Sequence, residues 1–361
     1  MSNKHKRYFQ GKEIVPVHFS NDINYAKLVE NYEKTFAEAR NVAEAARLYE
    51  RMINENSTIW LGISGIPIVG GMGGYIIDLI KKGHIDVICT TGAQAYHDLH
   101  YAFGAPVKQG SPHVNDNKLR QEGIVRIYDT FIDEKHTLFS ADEQVMLFLT
   151  KKRHRFKYPF SSADFNYELG NFILEMADSG LSERSFLAQA AKYKVPVYWD
   201  SLANHSIGMN LAKLFLEDID INPSPSMDVL ESAAIVYGSE KNSFVLLGGG
   251  GPKNFIQQTG PALSQILGLE HDGADKGIQI TTATEKDGGL SGCTFSEGHT
   301  WGKYKDASKG LVQVWGEMSV IAPIILGYAW QNCRQREHKK LIERKKELYE
   351  NLKKAVYSSC S

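Results

Sequence analysis

The chain has 361 residues, 42% of them hydrophobic and 23% charged, with a formal net charge of −1. That length can bury a large core in one or two domains, and the near-neutral balance gives no general electrostatic attraction to nucleic acid. The apolar run from Val320 to Trp330 is too short to span a bilayer, the start has no signal-type segment, and Cys89, Cys293, Cys333 and Cys360 form no CxxC pair. These features point away from a membrane, a metal site and a disulfide framework, and toward the cytoplasm.

In chain order, the basic "MSNKHKRY" reads as a tail and residues 1–56 as a helical N-terminal extension, with Phe36, Ala43, Ala46 and Leu48 among alternating charges. "STIWLGI" is an apolar strand, the glycine-rich "SGIPIVGGMGG" follows, "YIIDLIKKGH" is helical and "IDVICTT" is a second buried strand. This is a βαβ unit with glycines at the strand's carboxyl end. "TKKRHRFKYPFSSADF", Thr150 to Phe165, reads as a charged surface excursion. The pattern then recurs. "VPVYWDSL" precedes a helix whose face is marked by Ile207, Leu211, Leu214 and Phe215, "NSFVLLGGGGPKNFIQQ" is strand, glycine run and helix, "GIQITTAT" is a strand, and "LVQVWGEMSVIAPIIL" again goes from strand to helix. So many alternations predict a single α/β domain over 1–361: a Rossmann-like, doubly wound, mostly parallel sheet with helices on both faces. Residues 334–361 form a charged C-terminal helix, read as solvated.

Open α/β sheets bind ligands beyond the carboxyl ends of their strands. Five segments occupy that place here: Ser64-Gly65, Thr90-Thr91-Gly92, Asn204-His205-Ser206, Gly248 to Gly251, and Ala283 to Asp287. None matches GxGxxG, so each could be a tight turn; together they favour a nucleotide-type ligand. Near the C-terminal third, "SEGHTWGKYK" places Lys303 beside a tryptophan and a second lysine. If that segment is extended, Trp301, Lys303 and Lys305 share a face. The indole would then desolvate the amine and Lys305 would repel its charge, both lowering its pKa until a neutral amine can attack a carbonyl or imine. The alternative is a solvated turn lysine. Asp287, Glu297 and Glu317 could neutralise a cationic substrate or simply be wet, and His97 could shuttle protons or cap a helix.

Taken together, "LGISG", "IDVICTTGAQAYHDL", "KLRQEGIVRIYD", "VPVYWDSLANHSIG", "LLGGGGPKNF", "TATEKDGGLSG" and "SEGHTWGKYK" resemble the deoxyhypusine synthase family from about Phe36 to Trp330. The resemblance implies an NAD-dependent, homotetrameric transferase. It oxidises a polyamine such as spermidine, carries the aminobutyl group as an imine on Lys303, and hands it to an acceptor amine. Position by position it implies cofactor contacts at Ser64, Gly65, Thr90, Thr91, Gly92, Asn204, Gly248, Gly249, Gly250, Ala283, Asp287 and Glu317. Glu297 would handle the amine and Trp301 would wall it. The chain departs from the family where Met209 and Leu290 replace two acids that grip ammonium groups, and where Asn254-Phe255 replaces a histidine pair; each lost carboxylate removes a charge-assisted contact. The resemblance thus implies a retained cofactor site and lysine with a rewritten pocket at Met209, Leu290 and Asn254. The expected acceptor is a small amine, as in the homospermidine synthases of the family, rather than a lysine of a translation factor. A non-catalytic NAD- or metabolite-binding oligomer is the alternative of another class.

Overall fold

In the computed structural model, residues 14, 16–18 and 21–359 are described; the basic N-terminal stretch and Cys360 lie outside them. The chain begins with helices Tyr25–Glu33 and Ala37–Asn54. The longer one turns Leu48, Tyr49 and Met52 fully inward, and its Glu38 Oε2 accepts a hydrogen bond from the Trp315 N–H at 2.8 Å. The described part of residues 1–56 is therefore built into the core. Phe36 stands apart from the helix face expected for it, as the exposed residue that precedes the helix.

Strands β1 (Thr58–Ile63) and β2 (Val87–Thr90) are buried at every position, which explains their unbroken apolar runs. Between them lies helix Gly73–Lys81. Helix Gly92–Ala102 follows β2. Then come three short antiparallel strands, β3 (Val107–Gln109), β4 (Ile124–Ile127) and β5 (Thr130–Asp133), which form their own sheet in the order β3-β5-β4. The remaining strands are β6 (Val197–Trp199), β7 (Asn242–Leu247), β8 (Lys276–Thr281) and β9 (Leu311–Trp315). The main sheet runs β6-β2-β1-β7-β8-β9, with every pair parallel. Counted by themselves in chain order, these six strands read 3-2-1-4-5-6, the doubly wound order whose connections reverse direction between the first and fourth. That reversal opens a crevice at the carboxyl ends of β1 and β7.

Alternate side chains feed two cores. Ile59, Leu61, Ile63, Val245 and Leu247 face one layer, with helices Ala37–Asn54, Ser162–Met176, Phe186–Tyr193 and Met318–Asn332. Trp60, Phe244 and Leu246 face the other, with helices Pro225–Tyr237, Gly250–Gln257 and Leu341–Ser359. The last helix is not wholly solvated, because Leu341, Leu348 and Leu352 are buried. Residues 150–165 also differ from a surface excursion. Arg153, Arg155 and Lys157 are exposed, yet Phe156 stacks on Phe160 and Phe165, with ring centroids 4.8 and 5.4 Å apart. The apolar faces of those rings outweigh the local charge. On helix Ser206–Phe215, Ile207, Leu211 and Leu214 are buried as the spacing predicts, whereas Phe215 is exposed. No helix among the described residues is long and apolar enough to cross a membrane.

Candidate active site

At the crevice, the Ser64 hydroxyl ties the turns after β1 and β7 together. It donates to the Leu247 carbonyl at 3.1 Å and accepts from the Gly249 N–H at 2.9 Å. Gly248 has φ +83°, and a β-carbon there would lie 2.3 Å from Ser64 Oγ, so this approach is open only to glycine. Buried Gln279 on β8 completes the turn. Its amide donates to the carbonyls of Gly248 and Ser291 at 2.9 and 3.0 Å, while the Gly250 N–H donates to Ser291 Oγ at 3.0 Å. The 282–293 loop is thus fixed on the glycine run.

Ser64, Gly65, Gly248, Gly249 and Gly250 come together here, and Thr90, Thr91 and Gly92 form the adjoining turn at the end of β2. Thr90 is buried and donates to the Ile63 carbonyl at 3.3 Å, and Thr91 precedes helix Gly92–Ala102. Ala283 follows β8, with its N–H on Thr281 Oγ1 at 3.1 Å. Asp287 is exposed and holds the Gly289 N–H at 2.8 Å. Glu317 caps helix Met318–Asn332 by accepting the Ser319 N–H at 2.6 Å. Asn204 is exposed just before helix Ser206–Phe215. Helices that begin at the ends of β2, β7 and β9 turn their amino termini to this side, where free N–H groups and the helix dipole suit an anionic group. The free N–H groups of these turns are the donors that a phosphate-bearing ligand needs.

Beside it lies Lys303. The "TWGKYK" segment is not extended: helix Phe295–His299 leads into turns at Thr300 to Gly302, and Gly302 has φ +72°. No common face with Trp301 and Lys305 exists. Trp301 is 66% exposed, and the Lys305 ammonium lies 4.0 and 3.9 Å from Asp272 and Asp275. The backbone of Lys303 is pinned, as its N–H donates to Gly298 O at 3.3 Å and its carbonyl accepts from Ala274 N at 3.0 Å. Its side chain is 7% exposed and Nζ donates to Asn254 Oδ1 at 3.2 Å. Burial lowers its pKa below the ordinary lysine value, while Cys293 and Glu297 oppose the shift. The expected depression is present, then, but its cause is packing rather than the indole or Lys305. Glu297 itself is exposed on the short helix, within hydrogen-bonding reach of the Cys293 thiol.

Two residues escaped the sequence reading. Lys253, 1% exposed, donates to Gln279 Oε1 at 2.9 Å and to the Cys293 carbonyl at 2.7 Å; burial first, and then the Lys303 charge, bring it down to about 8. Asp200, just past β6, is pushed up to about 6 by burial. It lines a cavity of about 310 Å³ together with Asn254, Phe255, Val229 and Leu290. Neither has a local signature, although each lies inside a quoted segment, Asp200 in "VPVYWDSL" and Lys253 in "LLGGGGPKNF". Of the expected pocket residues, Asn254 and Leu290 line this cavity, whereas Met209 is 62% exposed and does not. His97 neither caps a helix nor opens to the crevice. It is a mid-helix residue whose Nδ1 lies 3.0 Å from Nε2 of buried His100, and burial lowers it to about 4.

A family model for deoxyhypusine synthase matches residues 27–329. The chain is 36% identical over 351 residues to the "Deoxyhypusine synthase-like protein" of a Nostoc species, covering 95% of this chain and 91% of the relative. It is 34% identical over 322 residues to the "Probable deoxyhypusine synthase 2" of Methanosarcina acetivorans, covering 89% and 90%. In fold it is similar to the crystal structure of an Entamoeba histolytica protein provisionally named deoxyhypusine synthase, with a TM-score of 0.57 at 17% identity, over 90% of this chain and 99% of that one. The chain belongs to the deoxyhypusine synthase family.

Proposed function

We propose that this protein is an NAD-dependent transferase that moves an alkylamine group from a polyamine donor to a small amine acceptor through an imine on Lys303. The observation that carries this reading is a lysine 7% exposed, hydrogen-bonded to Asn254 and lowered in pKa, next to a glycine-rich crevice at the switch point of the sheet. Ser64, Gly65, the Thr90 to Gly92 turn, Gly248 to Gly250, Ala283, Asp287 and Glu317 would hold the dinucleotide. NAD, when bound, supplies a hydride acceptor and, once reduced, a hydride donor.

The rest falls to the chain's own groups. Once the carbon beside the donor's amine stands at the imine level, the neutral amine of Lys303 adds to it and expels the departing amine. Asn254 Oδ1 keeps Nζ aimed, and Glu297 supplies a carboxylate near the reacting amines to take up and return protons. The acceptor amine then displaces Lys303 by the same addition and elimination. Leu290, which lines the cavity where the family resemblance leads one to expect an acid, supports a small amine over spermidine gripped at both ends and over a translation-factor lysine. The exposed Trp301 indole supports self-association, for which a homotetramer is the proposed state.

Incubating the protein with NAD and a panel of putrescine, spermidine and agmatine, followed by mass spectrometry of the products, tests the reading. New secondary amines that appear only with NAD are expected. Unchanged substrates throughout the panel would contradict it.

A further inference from the structure

The cavity beside Lys303 contains an anionic group that the catalytic residues leave unused. Asp200 enters it from the end of β6, with its N–H donating to the Thr90 carbonyl at 3.1 Å. Its Oδ1 is buried without a hydrogen-bond partner, and Asp200 forms no ion pair among the described residues. Its other oxygen lies against the start of helix Gly250–Gln257, where a β-carbon on Gly251 would come within 1.9 Å of Oδ2. Only glycine leaves that carboxylate its place. Among the described residues no basic side chain lines the cavity; Val229, Phe255, Ala262 and Leu290 give it apolar walls, and Asn254 joins it to the Lys303 amine. Backbone N–H groups of Asp200 and Ser201 ease its charge, but a carboxylate oxygen buried without a partner remains costly unless a cation or a further donor meets it.

We propose that Asp200 is the subsite for the distal ammonium of an α,ω-diamine, whose methylene chain lies along Leu290 and Phe255 and whose other nitrogen reaches Lys303. For its choice of ligand class this rests on the transferase reading above. It assigns the grip on the amine to the residue just past β6, while Leu290, on the 282–293 loop, becomes a wall for the methylenes. Asp200 is a specificity residue in this account, holding charge at the far end of the cavity from the chemistry.

The test is equilibrium binding, measured by calorimetry on the full chain in the presence of NAD with two probes of nearly equal length. Putrescine carries two ammonium groups, and 4-amino-1-butanol ends in a hydroxyl instead of the second. The native protein should prefer putrescine by at least about tenfold, the scale of one charge-assisted contact. In Asp200→Asn the preference should collapse toward unity, with circular dichroism unchanged. Should that variant not fold, half-exposed Leu290 offers a second route. Leu290→Lys places a tethered ammonium in the cavity and should abolish putrescine binding, whereas Leu290→Met, apolar and of similar size, should retain it. Equal preference in the native protein and Asp200→Asn, or putrescine binding that survives Leu290→Lys, overturns the assignment. So does a native protein that binds neither probe. Failure of the transferase reading is read separately: diamine binding that depends on Asp200, without any new amine product, would leave this subsite standing and remove the chemistry.

Discussion

At Lys303, reactivity depends on losing a proton, and the surroundings favour the loss. Packing desolvates the amine and lowers its pKa below the ordinary 10.5, while Cys293 and Glu297 resist. Lys253 is a second buried ammonium that shares the Cys293 neighbourhood, and the Lys303 charge counts among the causes that lower it. The cost of this repulsion falls on Lys253, since the cause that lowers Lys303 is burial. Formation of the imine should therefore rise with pH and level off below 10.5. In Lys253→Met the levelling-off should stay in place, because burial rather than Lys253 sets it. Rapid-quench measurement of the adduct across pH checks both; a profile moved to higher pH in Lys253→Met would show that the two amines titrate together. The Trp-Gly-Lys spacing made Lys303 legible in the sequence, but not its environment. The partner that holds its amine is Asn254, 49 positions away. Asp200 was illegible for the same reason, since what lies against its carboxylate is Gly251, at the start of a helix 51 positions away.

Among the elements, the strands were readable because a parallel strand covered on both faces must be apolar throughout, and β1, β2 and β7 are. The small antiparallel sheet was not. Its strands have three or four residues, and none of those in β3 is buried, too little patterning to register. The C-terminal helix looked solvated because its charges hide one apolar stripe and one anchoring lysine. Lys345 Nζ donates to Ser161 Oγ at 2.9 Å and lies 2.7 and 2.8 Å from carboxylate oxygens of Asp164 and Glu231. Glu231 is almost fully buried, and its burial raises its pKa despite the lysine. Removing that lysine leaves a buried carboxylate without its counter-charge. Lys345→Met should cost about 3 kcal/mol, at the low end for breaking such a pair because Asp164 is partly open to water. Lys346→Met, on the exposed face of the same helix, should change stability by less than about 0.5 kcal/mol. Urea denaturation of the two variants decides between an anchored helix and a merely adjacent one.

For the whole molecule, the sheet order follows from repeated right-handed strand-helix-strand connections, and the position of the crevice follows from the order. The sequence supplied the repeats, so the architecture and the side on which the site lies could be anticipated. How chains associate could not, because side chains that meet another copy look like any other surface residue. Within one chain Met209, Phe215, Leu216, Ile266 and Trp301 are 61–86% exposed, side chains that the proposed association of four copies would cover. Light scattering should accordingly give the mass of four chains, and Trp301→Lys should shift it toward smaller species; a native particle of one chain's mass would refute the association. The central claim, however, is covalent. The most direct measurement is borohydride reduction during incubation with NAD and putrescine or spermidine, followed by peptide mapping of the native protein and of Lys303→Arg, which keeps the charge but cannot readily form the imine. The account predicts an alkylamine adduct on Lys303 of the native protein, dependent on NAD, and none in Lys303→Arg. An adduct on Lys253 or Lys305, or an arginine variant that still turns over, would contradict it.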